Sequence, residues 1–93
     1  MDLSKIPSPC FILEEQLLRD NLAVIKDVAD KAAVEIIVAL KANATWSVFP
    51  IMKEYVGGAT ASSLAEARLV YEEFGVRAHT YAPVYTDREI EEI

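Results

Sequence analysis

The chain has 93 residues, of which 53% are hydrophobic and 26% charged, and its formal net charge is −6. This composition excludes intrinsic disorder and predicts one small domain. No apolar run approaches the roughly 20 residues that span a bilayer, and the acidic balance argues against nucleic acid or a membrane as a partner. The single cysteine, Cys10, and a start without a basic region and an apolar stretch predict a cytoplasmic protein in which Cys10 is a buried apolar residue.

The N-terminal part predicts a rigid lead-in, a short strand and a long helix. Ile6-Pro7-Ser8-Pro9 is non-helical because each proline fixes its own φ and restricts the residue before it. Cys10–Leu13 is a short apolar run typical of a strand. From about Glu14 to Ala32, apolar residues recur at spacings of three and four, which predicts an amphipathic helix. Its apolar stripe comprises Leu18, Leu22, Ile25, Ala29 and Ala32.

The rest of the chain predicts strands and helices in alternation. Val34–Leu40 is almost continuously apolar and rich in β-branched residues, as is typical of a parallel strand buried on both faces. Further predicted elements are strands over 58–61 and 76–82, and helices over 47–56, over 63–74 and from Asp87 onward. Glycines at 57, 58 and 75 are placed to end the helices before them.

This order of elements predicts an α/β fold with a parallel sheet. A complete (β/α)8 barrel takes about 250 residues, so the chain supplies about three of its eight units. A three-stranded parallel sheet would leave both of its edges open. We therefore expect the 93 residues to be part of a longer protein.

Lys41 is the candidate catalytic residue. It follows directly after the apolar strand that ends at Leu40, and in β/α barrels the carboxyl ends of the strands carry the active site. A partly desolvated amine at such a place loses its proton more readily and can form a Schiff base with an aldehyde. On the local pattern alone, a solvated lysine that marks the end of a strand is the simpler interpretation.

Three segments carry a family resemblance. ALKANATWSVFP (Ala39–Pro50) resembles the lysine segment of the fold-type III pyridoxal-phosphate (PLP) enzymes, such as alanine racemase and the ornithine, arginine and diaminopimelate decarboxylases. IPSPCFILEEQLLRDNL (Ile6–Leu22) resembles their lead-in strand and first helix, and GGATASSLAEARL (Gly57–Leu69) their second barrel strand and the helix after it. The resemblance implies a partial PLP-binding TIM (β/α)8 barrel of the alanine racemase type. Residues 1–13 would be a lead-in strand that pairs in a C-terminal β domain, and 14–93 the N-terminal part of the barrel.

Within this family the chain is most similar to the carboxynorspermidine/carboxyspermidine decarboxylases. The similarity lies in Trp46–Pro50, Ala59–Leu64 and Tyr81-Ala82-Pro83. It implies PLP-dependent decarboxylation of a small carboxylated polyamine in polyamine (spermidine and norspermidine) biosynthesis. It also implies a homodimer in the full-length protein. The groups that bind the PLP phosphate and pyridine nitrogen would lie beyond residue 93, so the 93 residues alone should be inactive.

The resemblance assigns roles to few residues of this chain. Lys41 is implied to be the lysine that binds PLP covalently, and Thr60 matches a cofactor-contacting position that is an aspartate in the ornithine decarboxylases. An ordinary β-former is the other interpretation of Thr60. Glu66 fits a helix cap with Ser63 better than a site role. His79 does not match the family's ring-stacking histidine and is expected to be structural.

The aromatic residues near these segments have two interpretations. Tyr81 could face the site, although packing is the simpler role. Trp46 and Phe49 could line the pocket or a subunit interface, but aromatic residues at this spacing belong more often to the core. No cluster with metal-ligand spacing and no glycine-rich phosphate loop is found in the sequence.

Three alternatives stay open at this point. The chain could belong to another fold-type III enzyme, namely a diaminopimelate, ornithine or arginine decarboxylase or an amino-acid racemase. It could belong to a non-enzymatic PLP-binding protein built as a single barrel. It could also be a free-standing structural module, which the uncovered apolar surface of three barrel units disfavours.

Overall fold

Helices and strands alternate along the whole chain in the computed structural model, which describes residues 1–93. The elements are α1 (Glu15–Ala32), β1 (Ile37–Ala39), α2 (Phe49–Met52), β2 (Gly58–Ala61), α3 (Leu64–Leu69), a π-helical turn (Val70–Phe74), β3 (His79–Thr80) and α4 (Asp87–Glu92). Single turns of 3-10 helix lie at Leu3–Lys5 and Trp46–Val48. None of the helices is both long enough and apolar enough to cross a membrane.

The three strands form one parallel sheet in the order β1-β2-β3. In the register, Ala39 lies opposite Thr60, and Thr60 lies opposite His79. The helical segments between successive strands make the long crossovers that parallel pairing requires. The predicted parallel α/β architecture is confirmed, as a small three-stranded piece.

One face of the sheet carries the hydrophobic core. Side chains alternate between the two faces of a strand, and the buried hydrophobic side chains of β2 are those of Ala59 and Ala61. They pack with Leu40 against the helices, where the rings of Phe49 and Phe74 meet with centroids 5.2 Å apart. The remaining buried members of the core are Leu22, Met52, Val56, Ala67 and Val70. The core therefore joins α1 and the two crossover segments to the same side of the sheet.

The long helix α1 is fixed to the rest of the fold by one arginine. The guanidinium of Arg19 donates to the Glu54 carboxylate at 2.7 Å, to Glu15 at 3.0 Å and to the Tyr55 hydroxyl at 3.4 Å. These bonds, to Glu54 first and then to Tyr55 and Glu15, raise the pKa of Arg19 above its ordinary value. Because the partners lie just beyond α2, Arg19 ties the two helices together.

Side-chain caps define where α3 and α4 begin. The Ser63 hydroxyl accepts from the Glu66 N–H at 3.2 Å, as predicted for a helix start. The Glu66 carboxylate accepts from the N–H of Ser62, one residue earlier than in the usual reciprocal box. At α4, Thr86 and Glu89 form the complete capping box. The N–H and then the hydroxyl of Thr86 lower the pKa of the Glu89 carboxyl.

The strand predicted over Cys10–Leu13 does not form in this structure. The segment has no regular secondary structure, and Phe11, Ile12 and Leu13 are exposed, as is Cys10. The prediction that Cys10 is buried is therefore wrong for this chain. A strand needs a partner for its backbone N–H and C=O groups, and none of the three strands lies beside this segment. Its pairing in a β domain stays a prediction.

Two predicted strands and one helix are shorter than expected. Of the strand predicted over Val34–Leu40 only β1 forms, and of the strand predicted over 76–82 only the two residues of β3 form. The helix predicted over 47–56 is a 3-10 turn followed by α2. The lengths of β1 and β3 depend on their neighbour β2, which has four residues, so Val34 and Val76 lie outside the ladder, whereas Leu40 and Tyr81 each add one hydrogen bond to it. By contrast, α1, β2, α3 with its π-turn, and α4 lie where they were predicted.

Gly75 ends the helical segment in the left-handed conformation, with φ of 74°. We expect Gly75→Ala to destabilise the protein by about 1–2 kcal/mol, because a Cβ is disfavoured in this region. Gly75→Asn should cost less, since asparagine tolerates left-handed backbone better than alanine. Chemical denaturation of both variants measures the difference, and equal losses for the two would contradict the backbone explanation.

Candidate functional site

Lys41 lies at the carboxyl end of β1, where the chain leaves the sheet. The N–H of Leu40 still donates to the Thr60 carbonyl at 3.3 Å, so Leu40 is the last residue of the strand bonded to β2. The Leu40 side chain is buried in the core, and the next residue, Lys41, is exposed. The buried leucine thus anchors the backbone immediately before the amine.

A tight loop follows and fixes the backbone around the lysine. The N–H groups of Ala42 and Asn43 both donate to the carbonyl of Ala39, at 2.9 and 3.4 Å. The Asn43 side chain then accepts from the N–H of Thr45 at 3.0 Å. The Lys-Ala-Asn sequence therefore forms a turn in which the asparagine closes the loop and the lysine side chain is left free.

The partial desolvation expected for Lys41 is not provided by these 93 residues. Its side chain is exposed, and it takes part in none of the ion pairs of the chain. The expectation rested on the low-dielectric interior of a closed barrel, whereas three strands leave the carboxyl edge of the sheet open. The amine is accordingly available to a ligand, without a counter-charge from this chain.

The second face of the sheet is open, and it holds the other candidate residues. We define the open face as Ile37, Ala39, Thr60, His79 and Tyr81, the positions that alternate with the core-facing ones. Its members are half-buried or exposed. The Thr60 hydroxyl donates to the backbone carbonyl of His79 at 2.7 Å, which fixes the side chain between β2 and β3. Thr60 retains its oxygen as a hydrogen-bond acceptor toward a ligand.

Two residues that the sequence assigned to structural roles lie on this open face. His79, expected to be structural, is exposed and lies opposite Thr60 in the register. Tyr81, for which packing was the simpler interpretation, is 75% exposed directly after β3. The alternation of side chains along the third strand is the signal that could have found both, once its register to Thr60 was known.

The two aromatic residues after Lys41, Trp46 and Phe49, differ in their burial. Phe49 is fully buried and belongs to the core, whereas Trp46 is 61% exposed in the 3-10 turn that follows the lysine loop. The core interpretation is confirmed for Phe49 and wrong for Trp46 in this chain. Trp46 therefore lies at the same edge of the sheet as Lys41, because the intervening residues form a short loop.

Two clefts of the molecule lie away from Lys41. A cleft of about 650 Å³ lies on the helix side of β3 and includes Leu64, Tyr71 and Ile93 among its lining residues. A second cleft of about 340 Å³ includes Lys26, Glu35 and Gly57, before β2. Neither is lined by Lys41 or Thr60. No group of three or more His, Cys, Asp or Glu side chains lies close enough together to hold a metal ion.

Known proteins resemble the chain over almost its whole length. It is 51% identical over 83 residues to the carboxyaminopropylagmatine decarboxylase of Synechocystis, covering 89% of this chain and 21% of that protein. It is 39% identical over 88 residues to the carboxynorspermidine/carboxyspermidine decarboxylase of Herminiimonas arsenicoxydans, covering 95% and 24%. No protein-family model matches the chain.

A solved structure has the same fold over the matched part. The crystal structure of carboxynorspermidine decarboxylase from Campylobacter jejuni, complexed with norspermidine, superposes with a TM-score of 0.90 at 37% identity. The match covers 94% of this chain and 24% of that one. The chain is homologous to the carboxynorspermidine/carboxyspermidine decarboxylases. It spans about a quarter of the length of these decarboxylases.

Homology to these decarboxylases confirms the resemblance and the predicted family. The three-stranded α/β piece matches part of the decarboxylase structure, as the TM-score shows. The comparison does not assign roles to single side chains, so the roles of Lys41 and Thr60 stay predictions. What this chain brings to the shared fold is an exposed, unpaired amine at the carboxyl edge and a hydroxyl on the open face.

The chemistry of these groups fits one end of PLP. An unpaired primary amine is the group that binds an aldehyde covalently, and Lys41 supplies one. Thr60 supplies a polar contact on the open face. A phosphate requires several convergent backbone N–H groups or the start of a longer helix. The sequence has no glycine-rich phosphate loop, so the residues present fit the aldehyde end of PLP and not its phosphate.

Proposed function

We propose that the chain is the lysine-bearing part of a PLP-dependent decarboxylase that acts on a carboxylated polyamine. The observation that carries the proposal is the match to these decarboxylases over nearly all of the chain, with an exposed lysine directly after the first strand. Activity, substrate and assembly belong to a protein about four times longer than this chain, as its relatives are. The further proposals concern that protein.

Lys41 would bind the aldehyde of PLP covalently through Nζ. The position supports this role because Leu40 is buried and the Ala39–Asn43 turn is closed by two hydrogen bonds, so the backbone at the lysine is rigid. When bound, PLP supplies an electron-withdrawing ring that stabilises the negative charge left as CO2 departs. Closure of a barrel over the open face would exclude water from the amine and favour its neutral, nucleophilic form.

Thr60 would contact the cofactor from the second strand. Its hydroxyl proton is used by the His79 carbonyl, so the oxygen offers only its acceptor capacity and the methyl group offers apolar contact. Because threonine bears no charge, Thr60 would contribute to the shape of the cofactor site and to the orientation of the cofactor. The ordinary β-former remains the competing interpretation, and it predicts no change in cofactor affinity on substitution by valine.

The sheet would be the first part of a PLP-binding (β/α)8 barrel of the alanine racemase type, in a cytoplasmic homodimer. The open edges of β1 and β3 support this proposal, because each would pair with a further strand in a closed barrel. The exposed apolar residues of the lead-in support pairing in a second, β-rich domain. A monomeric full-length protein in solution would overturn the dimer.

Two substrate classes follow from the relatives. Carboxynorspermidine and carboxyspermidine are supported by the Herminiimonas relative and by the Campylobacter structure. Carboxyaminopropylagmatine, which ends in a guanidinium group, is supported by the Synechocystis relative at 51% identity. Both classes are extended cations that bear an α-amino acid end, which suits a protein segment of net charge −6.

The test is cofactor mapping followed by a substrate panel. The full-length protein is incubated with PLP, reduced with borohydride and digested, and the peptide masses are measured by mass spectrometry. We expect the reduced pyridoxyl mass on the Lys41 peptide, and CO2 release from one of the carboxylated polyamines. A label on another lysine, or none, would overturn the cofactor role of Lys41. CO2 release only from ornithine, arginine or diaminopimelate would overturn the substrate class.

A further inference from the structure

Tyr81 lies at the same edge of the sheet as Lys41 and on its open face. Its N–H donates to the Ala61 carbonyl at 3.0 Å, which continues the β2–β3 ladder by one residue beyond β3. By alternation, the Tyr81 side chain therefore lies on the side opposite the core, with His79. The tyrosine is 75% exposed, because the open face of the sheet is uncovered in this chain.

The sheet spacing brings Tyr81 within reach of a ligand at Lys41. Strands β1 and β3 flank β2, so the backbones at the two residues are separated by about 10 Å, or two strand spacings. Thr60 lies on the strand between them, two residues and therefore about 7 Å further from the carboxyl edge of the sheet. The three residues thus outline a patch of the open face about the size of a small-molecule ligand, with the phenol ring at one side.

The aromatic ring at this edge can attract a cationic occupant. The Glu66 carboxylate accepts from the N–H of Ser62, which lies opposite Tyr81 when the β2–β3 register is continued. An exposed aromatic ring attracts ammonium and guanidinium groups through its negatively charged face. The amino groups of a polyamine are protonated at neutral pH, as that of lysine is. The ring is therefore complementary to such a chain.

We propose that Tyr81 is a specificity-determining residue whose ring contacts an ammonium group of the polyamine substrate. The inference rests on the proposed function and adds to it the residue that recognises the cationic chain. The contact acts on binding of the substrate's remote part and leaves the bond-breaking step at Lys41 unchanged. It therefore affects KM and the affinity for a polyamine product rather than kcat.

The experiment compares Tyr81→Leu with Tyr81→Phe in the full-length, PLP-loaded protein. Leucine keeps apolar volume without an aromatic face, and phenylalanine keeps the face without the hydroxyl. We expect Tyr81→Leu to raise the Kd of norspermidine, measured by calorimetry, and the KM by about tenfold, a value between those of an exposed and a desolvated cation–π contact. Tyr81→Phe should stay within about twofold. Both variants should keep their PLP content and kcat.

Tyr71→Phe serves as the matched control, since Tyr71 lies in the π-helical turn on the far side of the core. An unchanged norspermidine Kd in Tyr81→Leu would overturn the inference. In that case, a pyridoxyl label on Lys41 of the wild-type protein would still support the proposed function. Equal losses in both Tyr81 variants would also overturn it, because the hydroxyl would then be the recognised group. Absence of the label in the wild-type protein would overturn the proposed function and this inference together.

Discussion

Replacing Lys41 with alanine is expected to abolish covalent PLP binding and to lower decarboxylase kcat by a factor on the order of 10⁴, as loss of a covalent catalytic group does in other enzymes. The reason is that Nζ of Lys41 is the only group at the carboxyl edge of β1 that can bind an aldehyde. The measurements are the pyridoxyl mass after borohydride reduction and the rate of CO2 release from the full-length protein.

Two further variants make this prediction specific. Lys41→Arg keeps the positive charge but removes the nucleophilic amine, so it should be as inactive as Lys41→Ala if the amine itself is needed. Lys53→Ala removes another exposed lysine, just after α2, and should retain the label and the activity. Retention of full activity in Lys41→Ala, with the pyridoxyl mass on a different lysine, would assign the cofactor elsewhere.

The elements that sequence patterns predicted well are those whose ends are set by local chemistry. The Ser63 hydroxyl starts α3 and left-handed Gly75 ends the helical segment, and both act through their own backbone neighbours. The 18-residue α1 has a long apolar stripe that only a helix can bury on one side. Local signals of this kind need no knowledge of the rest of the fold.

The elements that differed are those whose extent depends on distant partners. Cys10–Leu13 has the composition of a strand, but a strand exists only where another strand completes its hydrogen bonds. Val34 and Val76, at the N-terminal ends of the two predicted strands, likewise lie beyond the length of β2 that can pair with them. Composition reports the tendency of a segment to pair, while the neighbouring strand decides how much of it does.

The candidate site likewise contains one residue that the sequence could identify and others whose position depends on strand pairing. Lys41 could be found from sequence because it directly follows an apolar strand, and that position alone implies the carboxyl edge of a parallel sheet. His79 and Tyr81 could not, because a strand of unknown register gives no way to tell the core face from the open face. One pairing, Thr60 with His79, is enough to place His79 and Tyr81 on the open face and Tyr81 at the lysine edge.

Phe49→Ala is expected to destabilise the protein by about 3–5 kcal/mol, the usual cost of truncating a fully buried phenylalanine. The Phe49 ring is completely buried, and it packs on Phe74 with centroids 5.2 Å apart and planes tilted by 58°. Alanine would leave a cavity between α2 and the π-helical turn, and the surrounding side chains can relax only partly into it. Such a loss is a large share of the roughly 5–15 kcal/mol that stabilises a typical domain.

Denaturant unfolding of the full-length protein measures this effect, with Glu73→Ala as the control. Glu73 precedes Phe74 in the same helical turn but is exposed, so its replacement should change the free energy of unfolding by less than about 0.5 kcal/mol. Phe49→Leu, which keeps most of the volume, should cost less than Phe49→Ala. A loss below about 1 kcal/mol in Phe49→Ala would contradict the packing described for the core. Because Phe49 follows the Lys41 loop by only a few residues, Phe49→Ala should also weaken PLP retention, which Glu73→Ala should leave unchanged.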